Sequence, residues 1–223
     1  MELYHVLNRG IDGRNLFLDS GDYVRFIHNL YEFNDTAPAL GLSRRNMPDA
    51  DVGHRKSYIR KKLVKIHGWC LMKDHYHLLI SELSEGGLVK FMMKVNIGYA
   101  KYYNERYGRR GHLFQSKTKK ILIESEAHFL YILHYIHLNP LDYLKGTTKW
   151  RERDKSTIKN AQEALKYLNR YRWSSYMDYC DKKNFPSILT RDLFENVFDN
   201  YRDALKDYLK DVEKLSITDF VLE

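Results

Sequence analysis

The stretch Val64-Lys-Ile-His-Gly-Trp-Cys-Leu-Met-Lys-Asp-His-Tyr-His-Leu-Leu-Ile-Ser81 decides the fold. Two apolar, strand-like runs, Val64–Met72 and His75–Ser81, flank Lys73-Asp74, and this pattern predicts a β-hairpin turning at those two residues. Upstream, Tyr4-His-Val-Leu-Asn-Arg9 alternates as a first strand, and Gly10, Asp12 and Gly13 form a turn. Ser20 is the expected N-cap of a helix over about 21–34, where Tyr23, Phe26, Ile27, Leu30 and Tyr31 recur at helical spacing. Between helix and hairpin, about 35–60, lies an irregular insertion with Pro38, Gly41, Pro48 and Gly53. It leads into the basic run Arg55–Lys62, which fits either a solvated helix start or a contact with a nucleic-acid backbone.

Downstream, Gly86 and Gly87 break the strand pattern before a helix over about 88–106, with Leu88, Phe91, Met92, Val95, Tyr99 and Tyr102 on its repeating face. Lys117–Ile123 reads as a fourth strand, and Ser125 caps a helix that runs to about Leu138, where Pro140 stops it. The order is strand, helix, strand, strand, helix, strand, helix. It predicts an α+β fold: a ferredoxin-like, split βαβ antiparallel sheet with helices mainly on one face. The body spans 1–145. A helical C-terminal extension spans 146–223, with an amphipathic stripe of Leu193, Phe194, Val197, Phe198, Tyr201, Leu205, Tyr208 and Leu209 that fits packing against the body.

Composition narrows the function. Lys and Arg outnumber Asp and Glu, 37 to 29, for a formal net charge of +8, which favours a polyanionic partner. No apolar run of membrane-spanning length and no signal-peptide pattern is present, so no membrane partner is expected and the expected location is the cytoplasm, with the nucleoid. Cys70 and Cys180 match no zinc spacing and suit a reducing compartment.

Residues two apart in a strand share a face, so His75 and His77 project together while Tyr76 points to the opposite side. Two imidazoles on one rigid surface are able to hold a divalent metal with open positions for phosphodiester chemistry, although two surface histidines fit the spacing as well. On the last helix of the sheet domain, His128, Tyr131, Tyr135 and Asn139 fall at spacings of three and four and share a face. A tyrosine there is a candidate covalent nucleophile and Asn139 a candidate third metal ligand; the plainer reading makes the tyrosines core aromatics.

Four motifs in order, Tyr4-His-Val-Leu-Asn-Arg-Gly10, Met72-Lys-Asp-His-Tyr-His-Leu-Leu-Ile80, Gly111-His-Leu-Phe-Gln115 and Tyr135-Ile-His-Leu-Asn-Pro140, resemble the single-strand tyrosine transposases of the HUH endonuclease superfamily. The later Tyr171-Arg-Trp-Ser-Ser-Tyr176 is similar to the REP-associated branch. The resemblance implies Mg²⁺ or Mn²⁺ on His75 and His77, Tyr135 as nucleophile, and Asn139 as the polar residue beside the metal. It also implies a single-stranded DNA partner bearing a hairpin, and a monomer or a homodimer. Lys73-Asp74 stands where relatives have Pro-Asn, and Tyr76 is less apolar than the usual hydrophobe between the histidines.

Arg9, Arg14, Arg106, Arg109, Arg110, Lys117, Lys119 and Lys120 are the candidate DNA contacts, each equally compatible with a solvated surface. Tyr99, Tyr102 and Tyr103 form a rival nucleophile set. Two other functions fit the same residues: a transposase-derived protein that binds a nucleic-acid hairpin without cutting it, and a phosphodiesterase with no covalent step.

Overall fold

The computed structural model describes residues 2–37, 60–147, 150–152 and 161–210. Its centre is a four-stranded sheet of β1 (Leu3–Arg9), β2 (Val64–Leu71), β3 (His75–Glu82) and β4 (Lys119–Leu122) in the spatial order β2-β3-β1-β4. All three neighbouring pairs are antiparallel, the arrangement of a split βαβ sheet. Helix α1 (Ser20–Glu32) joins β1 to the hairpin, α2 (Gly87–Arg106) joins the hairpin to β4, and α3 (Glu126–Leu138) follows. The cap of α1 is Asp19 rather than Ser20: the Asp19 carboxylate accepts the Asp22 N–H at 3.2 Å, and the serine is already helical. The cap of α3 is Ser125, as expected, accepting the His128 N–H. Residues 38–59 of the insertion lie outside the described residues.

Strand alternation sorts the core into two halves. Val6, Tyr76, Leu78 and Ile80 pack with Phe26, Ile27 and Leu30 of α1 and with Phe91, Val95 and Tyr99 of α2. Leu3 and Leu79, of opposite parity on the same strands, pack instead with Tyr131, Ile132 and Tyr135 of α3. The two crossover helices thus share one face as expected, while the opposite face is covered rather than open. Gly68 permits that close cover, because a Cβ there would meet Leu133 Cδ1 at 2.9 Å.

The C-terminal residues continue the second half of the core. Helices α4 (Ala161–Leu168), α5 (Tyr176–Tyr179), α6 (Asp192–Glu195) and α7 (Tyr201–Lys210) pack on α3 through Leu165, Tyr176, Phe194, Tyr201 and Leu205. The Tyr171–Tyr176 segment lies along the outer edge of β2. Leu71 N–H donates to Trp173 O at 2.8 Å and Ser175 N–H to Trp69 O at 2.9 Å, so the exposed strand edge is closed. The Tyr171 hydroxyl donates to Leu71 O, and the Trp173 ring stacks on Tyr23 of α1 at 4.5 Å.

Candidate active site

The hairpin places the two histidines. Lys73-Asp74 makes the turn without a Pro-Asn pair, because Lys73 O accepts from Leu16 and Phe17 and Asp74 O accepts from Gly10 N–H. His75 and His77 then share the face beneath α3, their rings 5.0 Å apart and nearly perpendicular. Tyr76 points the other way, fully buried, with its hydroxyl donating to Asn96 Oδ1 at 2.9 Å. A polar tip at the hydrophobe position is therefore satisfied.

Helix α3 lays Tyr135 over the pair. Its ring meets the His77 ring edge-on at 5.7 Å, so the strand histidines and the helix tyrosine share one site. His5 of β1 joins them. Its Nε2 is 2.9 Å from His77 Nδ1, the two rings lie edge to edge with planes 16° apart and centroids 5.1 Å apart, and it meets the Tyr135 ring edge-on at 5.7 Å. Burial holds the His77 imidazole well below its ordinary range, with His75, His5, Arg151 and Arg9 adding to the effect. Burial, with His128 nearby, pulls His5 down to about 3. The hydrogen bond from His75 Nδ1, at 2.8 Å, lowers the Asp74 carboxyl further.

Two ring nitrogens of the site are open to a divalent cation. Among the described residues His75 Nε2 and His77 Nε2 are buried with no hydrogen-bond partner, while the Nδ1 of each is engaged. That is the state in which a ligating imidazole is held, so the two residues fit a metal. Among the described residues no group of three or more His, Cys, Asp or Glu is arranged to hold one. Asn139, at the end of α3, is committed elsewhere. Its Oδ1 accepts from Arg151 Nη2 at 2.6 Å and its amide donates to Tyr135 O at 2.8 Å. As a ligand it would share its oxygen with a guanidinium.

Arg151 and Trp150 were not among the expected site residues. Arg151 lies over the Tyr135 ring at 5.6 Å and is anchored by Asp142 at 2.6 Å, and the Trp150 ring packs against Tyr135 at 5.7 Å. Tyr135 is consequently only 1% exposed. No periodicity links residue 151 to residue 135; the contact exists because the chain doubles back after α3.

The basic residues divide. Arg9 pairs in register with His75 and so flanks the site. Lys119 pairs with Leu7 on the neighbouring strand, and Lys117, Lys120, Arg14 and Arg110 are exposed. Arg106 is instead tied to Asp19 at 2.6 Å and Asp22 at 3.0 Å, and Arg109 to Asn104 Oδ1 and His112 O. These two are not brought to the histidines. Nor are the rival tyrosines: Tyr99 and Tyr103 donate to Leu16 O and Asn15 O, and Tyr102 to Asp22, on the far face of the sheet. His134 and His137 both hold the Tyr201 hydroxyl of α7, at 3.2 and 2.7 Å, and His137 Nε2 meets Ser175 Oγ at 2.7 Å. They fasten the extension to α3.

A split βαβ sheet with a histidine pair under a helix tyrosine is the arrangement the resemblance to tyrosine transposases implied. Residues 53–139 match the sequence profile of the family described as transposase, IS200-like, and this bears out the resemblance. A solved structure described as a REP-associated tyrosine transposase bound to a REP hairpin aligns over 89% of this chain and 89% of its own, with 11% identity and a TM-score of 0.45, a loose superposition. No curated protein matches the chain significantly in sequence. No described helix is long and apolar enough to cross a membrane.

Proposed function

We propose that the chain is a metal-dependent single-strand DNA endonuclease and strand transferase of the transposase type, acting at hairpin-associated sites in the cytoplasm. The observation that carries this reading is the pair of buried, unpartnered Nε2 atoms on His75 and His77 beside the Tyr135 ring. His75 and His77 would hold Mg²⁺ or Mn²⁺, with Asn139 as third ligand if its oxygen is shared with Arg151 or released by it. When bound, the metal supplies Lewis-acid polarisation of the scissile phosphate.

The remaining work falls to the chain. The Tyr135 phenol oxygen forms a bond to phosphorus as the P–O3′ bond breaks; the phenol proton leaves, and the departing 3′ oxygen takes one up. The product is a 5′-phosphotyrosine and a free 3′-hydroxyl, and a second 3′-hydroxyl reverses the step to join strands. Arg151 is charged at any working pH and hydrogen bonds to the Tyr135 side chain, so it steadies negative charge at that oxygen. Arg9, Lys117, Lys119 and Lys120 would neutralise backbone phosphates along the β1–β4 side of the sheet.

One observation favours a second reading, a hairpin-binding protein that does not cleave: Tyr135 is 1% exposed beneath Trp150 and Arg151. A phosphate reaches its oxygen only after covering groups move. Incubation with hairpin-bearing single strands and Mn²⁺ separates the two readings. A covalent adduct that maps to Tyr135 is expected, and binding with no cleavage under either metal would establish the second.

A further inference from the structure

A histidine that ligates a metal through one ring nitrogen usually carries a proton on the other and donates it to a fixed acceptor, which sets the tautomer and the ring angle. His75 has such an acceptor in its own turn, the Asp74 carboxylate at 2.8 Å. Among the described residues the partner of His77 Nδ1 is no carboxylate but the Nε2 of His5 at 2.9 Å. The antiparallel register produces this contact: Leu7 pairs with His77 and His5 with Leu79, so His5 is the diagonal neighbour of His77 on the same face. His5 is fully buried, its ring lies within 16° of the His77 plane as an in-plane ring-to-ring hydrogen bond requires, and it also bears on Tyr135.

Two neutral imidazoles in this contact share one proton in one of two directions. If His5 donates, His77 must carry its own proton on Nε2, and the buried atom beside His75 becomes an N–H unable to ligate. If His77 donates, its Nε2 is a lone pair, matching His75 Nε2, and the spare N–H is moved to His5 Nδ1, a buried atom that also has no partner. We propose that His5 is a positioning residue: it accepts the Nδ1 proton of His77 and so presents the His77 Nε2 lone pair, alongside that of His75, to a divalent cation. The inference rests on the metal reading given above, and it assigns a role to a β1 residue that touches neither the cation nor the phosphate.

Ring ¹⁵N chemical shifts of His77 in the metal-free, full-length protein test the proton's position without any variant. A protonated Nδ1 and a bare Nε2 are expected, and the reverse tautomer would overturn the proposal. Mn²⁺ titration followed by electron paramagnetic resonance is the second readout. His5→Phe keeps a ring but loses the acceptor, and affinity should fall by about 10–100-fold. His5→Gln restores an acceptor oxygen and should recover most of that loss. Wild-type affinity in a folded His5→Phe protein would refute the role of His5, whereas no Mn²⁺ binding by the wild type would remove the metal reading itself. Should His5→Phe not fold, the wild-type tautomer and the His5→Gln titration still decide.

Discussion

The two faces of the sheet carry the same strands and opposite chemistry. Beneath α1 and α2 the strands contribute Val6, Leu78 and Ile80, and the tyrosine hydroxyls of that side are answered: Tyr76 by Asn96, Tyr99 by Leu16 O, Tyr103 by Asn15 O. Beneath α3 the same strands contribute His5, His75 and His77, all buried, and leave three ring nitrogens with no partner among the described residues. An unsatisfied buried polar group costs about 1–3 kcal/mol, so the second face is a standing expense that the apolar face must offset. Trp69 Nε1 on the first face is also unanswered among the described residues, so the contrast is between a scattered group and a cluster of three around one site.

Four measurements break or sharpen that contrast. Tyr135→Phe should lower adduct formation by about 10³-fold or more while Mn²⁺ affinity and the melting temperature stay near wild type. Adducts persisting in this variant would move the nucleophile elsewhere. On the other face, Phe26→Ala empties a fully buried position and should cost about 3–5 kcal/mol in urea unfolding. Mn²⁺ affinity measured where that variant is folded should not change; a parallel loss would mean the faces are coupled.

The third measurement is stability against pH in metal-free protein. His5 and His67 are held at about 3 and about 4, chiefly by burial, and burial also keeps His77 and His137 well below their ordinary range. Below about pH 6.5 the unfolded chain binds protons that the native state refuses, so stability is full above that pH and falls as acid is added. The loss is up to about 1.4 kcal/mol per pH unit for each histidine, ending near pH 4 for His67 and near 3 for His5. Flat stability between pH 7 and 5 would show that these rings are not buried neutral. The smallest effect is Tyr201→Phe, which removes the hydroxyl held by His134 and His137 and should cost about 1–2 kcal/mol in thermal unfolding.

Much of the site could be read along the chain. His75 and His77 share a face because a strand repeats every two residues, and Tyr135 falls on the face of α3 toward them because a helix repeats every 3.6. His5 stood inside a quoted motif, yet its role depends on which residue of β3 lies opposite, and register is a property of two strands together. Arg151 and Trp150 were invisible for a related reason, since they reach Tyr135 through chain reversal after Tyr143 rather than through any repeat. The expectation for Arg106 met a competing partner: Asp19 and Asp22 lie on a different helix end, and no local pattern pairs them with it. Placing the helices mainly on one face fitted α1 and α2, whereas α3 follows the last strand and packs on the side that its own apolar residues and Gly68 allow.

Local periodicity and turn chemistry by themselves determined the element order, the split βαβ class, and the shared strand face of His75 and His77. Those are short-range consequences of backbone geometry, so a single chain displays them. Tertiary structure decided which nitrogen of each histidine is free, which residue backs His77, and what covers Tyr135. Each of these depends on distances between segments far apart in sequence, set only when β1, the hairpin and α3 close on one another.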